Sequence, residues 1–217
     1  MKNRTLTIFL LLLAIIVLAT GNLFQYLNLR DTKNNKTEAM KNDSVIGALD
    51  IIHQRKSVRH FTGEPVDTAL LVEIVKAGMA APSARNLQPW AFIVVTDRVL
   101  LDSLGNALPY AKMLSTAGAA IVVCGDMNKA ATNTKTDYWV QDCSAATENI
   151  LLATEALGLG AVWTAAFPYD ERINPVRRVL NLPENLIPLN VIPIGHPTGE
   201  DTPKDKWKPE NLHWNKF

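Results

Sequence analysis

Arg55-Lys56-Ser57-Val58-Arg59 sets three cations and a hydroxyl within five residues. That donor density suits a phosphate, which accepts forked guanidinium bonds and a neutral donor together. A solvated basic helix end complementing the helix dipole is the plainer reading of the same residues. A second segment runs from Ala80 to Trp90 (AAPSARNLQPW), where Pro82 and Pro89 bracket small and amide residues. Such a backbone is held extended, and it could present Ser83, Asn86 and Gln88 to the oxygens and nitrogens of a planar heterocycle. An ordinary helix-to-strand connection explains it equally well. In the third segment, Pro203-Lys204-Asp205-Lys206-Trp207-Lys208-Pro209, lysines alternate. In extended chain Lys204 and Lys206 point the same way and could meet one phosphate, with a solvated tail as the alternative.

Other chemistries find less support. His53, His60, His196 and His213 lack metal-ligand spacing, and neither an HExxH nor a paired-carboxylate pattern occurs. The two cysteines, Cys124 and Cys143, are too far apart for a CxxC and read as inert core thiols. Tyr138 and Trp139 could line a substrate mouth, with core packing the stronger reading. The balance of 22 Lys+Arg against 21 Asp+Glu, with 47% apolar residues, describes a folded protein and argues against a nucleic-acid partner.

The balance is uneven along the chain. Residues 1–43 hold six basic against three acidic residues, leaving sixteen against eighteen on residues 44–217. No charge lies between Arg4 and Arg30, and Ile8 to Ala19 is unbroken apolar sequence. Residues 6–27 would make about 33 Å of helix, enough to span a bilayer as an anchor. The shorter apolar run also suits a signal peptide cleaved before export, so residues 1–29 predict a signal-anchor or signal peptide, with the side of the membrane open. Residues 30–43 read as a polar linker and 44–217 as one domain.

Within that domain Ser44 is placed to cap a helix with Val45, Ile46, Leu49 and Ile52 on one face. Asp67 caps a second, with Leu70, Leu71, Ile74 and Val75 as its stripe. The apolar runs 91–96, 119–125, 160–167 and 189–195 predict four buried strands. A long helix over 137–157 and a shorter one over 170–180 complete an α+β domain, and residues 200–217 run over a surface.

Taken together, the segments resemble the nitroreductase-like family of FMN flavoproteins. The resemblance covers residues 46–217 and rests on the R-K-S-V-R-x-F element at 55–61, the A-P-S-x-x-N-x-Q-P-W element at 81–90, Gly195-His196-Pro197 with the P-K-x-K-W tail, and the helix-to-strand run 149–161. It implies a central, mostly antiparallel sheet flanked by helices, in an interleaved homodimer with FMN at the interface. Arg55, Lys56, Ser57 and Arg59 would hold the ribityl phosphate, and Lys204 and Lys206 would close on it. Pro82, Ser83, Ala84, Asn86 and Gln88 would contact the flavin from the other subunit. Thr164, Ala165 and Ala166 would bring backbone donors to the isoalloxazine. Lys56 stands where a second arginine is commoner, keeping charge but losing the planar fork.

The implied activity is reduction of nitroaromatics, quinones or similar small-molecule acceptors by NADH or NADPH in a ping-pong cycle, with no catalytic acid, base or nucleophile. Alternatives are a specialised flavin reaction such as reductive dehalogenation and a non-catalytic flavin redox sensor. The length resembles the shorter members, with 106–113 and 128–138 as lids.

Overall fold

The computed structural model describes residues 47–131 and 138–217. Its elements are α1 (47–54), α2 (Thr68–Met79), β1 (Trp90–Val95), α3 (Arg98–Ala107), β2 (Ala119–Asp126), α4 (Tyr138–Ala156), β3 (Gly160–Ala161), β4 (Thr164–Ala165), α5 (Asp170–Leu180) and β5 (Leu186–Gly195). The strands form one antiparallel sheet ordered β1-β2-β5-β3, with β4 also on β5. The expected α+β class and antiparallel sheet are therefore present.

Strand β2 shows why the sheet is covered on both faces. Its side chains alternate: Ala119, Ile121 and Val123 join a core with Leu71, Ile74, Cys143 and Ile150 from α2 and α4. Ala120, Val122 and Cys124 join another with Leu101, Leu104 and Val176 from α3 and α5. A strand buried on both faces reads as a continuous apolar run, as AAIVVCG does. Asp67 caps α2 as expected, its carboxylate accepting from the Ala69 N–H at 2.8 Å. A Cβ on Gly78 would come within 2.9 Å of the Ile150 side chain, which sets how closely α2 and α4 approach. Helix α3 was not expected; its signals are Asp97, whose carboxylate accepts from the Leu100 N–H at 2.9 Å, and the buried pair Leu101 and Leu104.

Two prolines shape the centre of the sheet. Strand β5 was expected to begin after Pro188, yet it starts at Leu186, and the pairing with β2 shifts between Val123 and Cys124. The bulge absorbs Pro188 inside a central strand. The expected strand over 160–167 forms as two short pieces in one continuous register against β5. That register sets Pro193 opposite Val162 at a position that would donate to it. Pro193 has no N–H, and the ladder breaks at Val162–Trp163.

The membrane-anchored or exported location expected from residues 6–27 is corrected. No helix among the described residues is long and apolar enough to cross a membrane. The longest, α4, carries Asp142, Glu148 and Glu155 along its 19 residues. Residues 6–27 themselves, the linker 30–43, the Ser44 cap and residues 132–137 lie outside the described residues. Ile52, expected on a buried face of α1, is 52% exposed.

Both cysteines are buried. Burial pushes each thiol up to about 12, opposed at Cys124 by Arg177 and reinforced at Cys143 by Cys124 and Asp142. A thiol reagent is therefore expected to leave the native protein untouched and to titrate both cysteines after denaturation; rapid labelling without denaturant would contradict this placement. Trp139 is also core, with its ring edge-on to Phe167 at 4.8 Å.

Candidate active site

The basic segment is held down by two close approaches. Val58 is buried, its N–H donates to the Ala161 carbonyl at 2.9 Å, and its side chain sits over Gly160, where a Cβ would come within 2.6 Å. Phe61 pairs with Pro197 and covers Gly195, where a Cβ would meet its ring at 2.9 Å. Residues 55–60 are thus laid along the end of the sheet, with Arg55, Lys56, Ser57 and Arg59 around one cleft.

The C-terminal tail closes the same cleft. The Thr62 N–H donates to the His196 carbonyl and the Thr198 N–H to the His60 carbonyl. The Asp201 carboxylate then accepts from the backbone N–H groups of Arg59 (2.9 Å) and His60 (3.2 Å), and lies 3.2 Å from His60 Nδ1. This clamp brings Lys204 and Lys206 beside residues 55–59 around a cavity of ≈ 420 Å³, so all six expected phosphate residues line one space. Not all are equally available. Arg55 Nε lies 3.4 Å from Glu148 and Lys56 Nζ 2.7 Å from Glu155, both on α4. No ion pair among the described residues includes Arg59, Lys204 or Lys206.

Partial burial alone would raise the Asp201 carboxyl, but the Arg59 N–H, the His60 side chain and N–H, and the His60 charge together hold it below the ordinary aspartate range. A depressed carboxyl stabilises the fold above its unfolded value and loses that contribution as pH falls through the folded value. The wild type is therefore expected to lose the clamp below about pH 4. In denaturant titrations the stability gap between wild type and Asp201→Ala should be present at neutral pH and shrink in acid. A gap independent of pH would remove the clamp from this account.

Arg59 also lines a second cavity of ≈ 330 Å³, with Tyr110, Val162, Trp163, Thr164, Ala165 and Arg172 among its walls. The ladder break opposite Pro193 frees this stretch of edge. Of the three residues expected to offer backbone donors, Ala166 is committed: its N–H donates to Leu189 at 2.9 Å, and Ala166 is fully buried. The Thr164 hydroxyl donates to the Val191 carbonyl. In an antiparallel ladder alternate residues turn their N–H outward, which leaves Ala165 as the available amide.

The segment 82–88 lies apart from both cavities within the chain; none of its residues lines either. It is held by Asp142, a buried carboxylate of α4 that accepts from the Ala84 N–H at 2.8 Å. The Ser83 hydroxyl accepts from the Gln88 N–H, and the Gln88 amide donates to Asn86. Arg85, Asn86 and Gln88 all have positive φ (55°, 56° and 50°). Three such non-glycine residues in so short a loop are uncommon and mark a conformation fixed by its surroundings.

A sequence profile of the Nitroreductase family matches residues 52–109 and 104–196. The chain belongs to the nitroreductase family. An Archaeoglobus fulgidus protein with the provisional name NADH dehydrogenase/NAD(P)H nitroreductase is 42% identical over 172 residues, 78% of this chain and 98% of that protein. A Bacteroides thetaiotaomicron crystal structure under the same provisional name is 49% identical, with a TM-score of 0.73 over 78% of this chain and 98% of that one. A provisionally named nitroreductase from Desulfovibrio desulfuricans, solved in complex with FMN, is 31% identical with a TM-score of 0.67, covering 78% and 97%. The nitroreductase match begins at residue 52, beyond residues 6–27.

Several features of this nitroreductase site escaped the sequence reading. Glu148 and Glu155 stand two turns apart on one helix, a spacing that was visible. Asp142 and Asp201 had no local signal, because each acts on the backbone of a distant segment. Tyr110 likewise reaches Arg172 only through the fold, whereas Tyr169 stands three residues before Arg172 at the start of α5, a spacing that was visible.

Proposed function

We propose that the protein is an FMN-dependent oxidoreductase that uses NAD(P)H to reduce small-molecule acceptors such as nitroaromatics and quinones. The observation that carries this reading is the convergence of Arg55, Ser57, Arg59, Lys204 and Lys206 on one cavity, with Arg59 also lining a second one along β4. The donor set fits the group. Of the five cations lining the first cavity, Arg55 and Lys56 face Glu148 and Glu155, while Arg59, Lys204 and Lys206 have no ion-pair partner among the described residues. Of the two lining carboxylates, Asp201 is already saturated by backbone and histidine donors. A phosphate dianion needs this excess, and an elongated ligand needs the second cavity.

FMN bound there would supply the hydride chemistry between NAD(P)H and the acceptor. Ser57 and the cations hold its phosphate. Arg59, which lines both cavities, supplies positive charge, and the Ala165 N–H donates from the sheet edge; both favour negative charge developing nearby. Glu148 and Glu155 fix Arg55 and Lys56, so less side-chain freedom is lost on binding.

The same reading makes the protein a homodimer in which Pro82, Ser83, Ala84, Asn86 and Gln88 complete the partner's site. In support, these residues lie away from their own chain's cavities, β1 is an edge strand, and Trp207, Leu212, Trp214 and Phe217 are exposed. Sedimentation should give twice the chain mass. Anaerobic NAD(P)H should bleach the bound flavin, and a quinone or nitro compound should then restore it, with parallel double-reciprocal plots in steady state. Intersecting plots would rule out the ping-pong order, and no bleaching by either nucleotide would rule out the activity.

A further inference from the structure

Asp142 is a buried carboxylate on α4, and that helix carries no basic residue. No ion pair among the described residues includes it. A buried charge without a cation is costly, so Asp142 calls for an account beyond packing. Its Oδ1 accepts from the Ala84 N–H at 2.8 Å. Among the described residues this is the one hydrogen bond that ties segment 82–88 to the rest of the chain. The others stay inside the segment: Ser83 with Gln88, Gln88 with Asn86, and the Asn86 and Leu87 N–H groups with the Ser83 and Ala84 carbonyls. Residues 82–88 join neither core, and Pro82 and residues 85–88 are exposed. A buried carboxylate therefore fixes a loop whose side chains pack little of their own subunit. The positive φ of Arg85, Asn86 and Gln88 is uncommon without glycine and persists only where something holds it.

We infer that Asp142 is a positioning residue that acts in trans: each subunit's Asp142 holds its own segment 82–88 in the conformation that completes the flavin site of the other subunit. This inference rests on the flavin and homodimer reading above. Without the bond the segment is free to leave that conformation, and the apparent FMN affinity falls with the fraction of segments still in the binding form.

FMN is titrated by fluorescence into the flavin-free full chain. Asp142→Leu should weaken binding by about ten- to a hundredfold. Asp142→Asn keeps an acceptor oxygen for the Ala84 N–H and should recover most of the affinity. The decisive sample is the mixed dimer of Asp142→Leu with Arg59→Ala, made by co-expression with two tags. Its Asp142→Leu subunit keeps Arg59 and receives an intact segment 82–88 from the other subunit. The mixed dimer should therefore bind one FMN with wild-type affinity, while both parent homodimers bind weakly. If Asp142 served its own subunit instead, both sites of the mixed dimer would be impaired, and that result would overturn the inference. Wild-type affinity in the Asp142→Leu homodimer, or an equal loss in Asp142→Asn, would overturn it too. A mixed dimer of Asn86→Ala with Arg59→Ala tests the segment itself: a tight site there but not with Asp142→Leu sinks this inference alone, and none in either sinks the dimeric reading with it. A wild type that takes up no FMN removes both. If Asp142→Leu does not fold, Ala84→Pro replaces it in the same mixed dimer. That change deletes the donor of the same bond, and Ser83 is already extended (φ −141°, ψ 152°), as a residue before proline prefers.

Discussion

Arg59→Ala is expected to weaken FMN binding by about ten- to a hundredfold, the equivalent of losing one or more charge-assisted hydrogen bonds from a single residue. The effect should exceed that of any other single cation in the cleft. Arg55 and Lys56 already face Glu148 and Glu155, so part of their donor capacity is committed to those carboxylates and less of it is available to a phosphate. Arg59 has no such partner among the described residues and lines both cavities. Its side chain is exposed, with one long contact to the Ser57 carbonyl at 3.4 Å, so the melting temperature should move by no more than about 2 °C. Fluorescence titration of FMN into the apo-protein and a thermal melt would check both halves. A large fall in stability with unchanged FMN affinity would reassign Arg59 to a structural role.

Gly160→Val is expected to damage fold and site together. A Cβ at this position would lie 2.6–2.8 Å from Val58 side-chain atoms, including its Cβ, which no flexible side-chain end can relieve. Overpacking of this kind costs about 1–3 kcal/mol. The added strain acts on Val58, whose N–H is bonded to Ala161. Lifting Val58 displaces the flanking Ser57 and Arg59, so FMN affinity should fall although no ligand-facing side chain has changed. A control substitution at Gly158, where nothing lies within 4 Å but φ is +74°, should destabilise through backbone strain alone and spare FMN affinity. Equal binding losses at both positions would show that Gly160 acts only through global stability.

Much of this was legible along the chain because the signals were local. The β2 run announced a strand buried on both faces, Asp67 announced its helix, and residues 55–59 announced an anion site by density alone. The boundaries that were missed share one cause, proline acting across strands. Pro188 lies inside β5 because a bulge at Leu189 of β5 itself accommodates it, and Pro193 splits the neighbouring strand at Val162–Trp163; neither effect is visible without knowing the register. Ala166 shows the same limit, since only pairing with Leu189 reveals that its N–H is spent. Asp201 and Arg172 depend on segments brought together by folding. The apolar segment at residues 6–27 was the opposite case, a strong local signal that led to a membrane location no described helix supports.

The most direct test is the absorption spectrum of the purified full chain before and after incubation with FMN. The account predicts that FMN stays bound through gel filtration at one per chain, and that Arg59→Ala loses it on the same column. A protein that remains colourless after incubation with excess FMN, while melting cooperatively, would contradict the assignment of the two cavities to the cofactor.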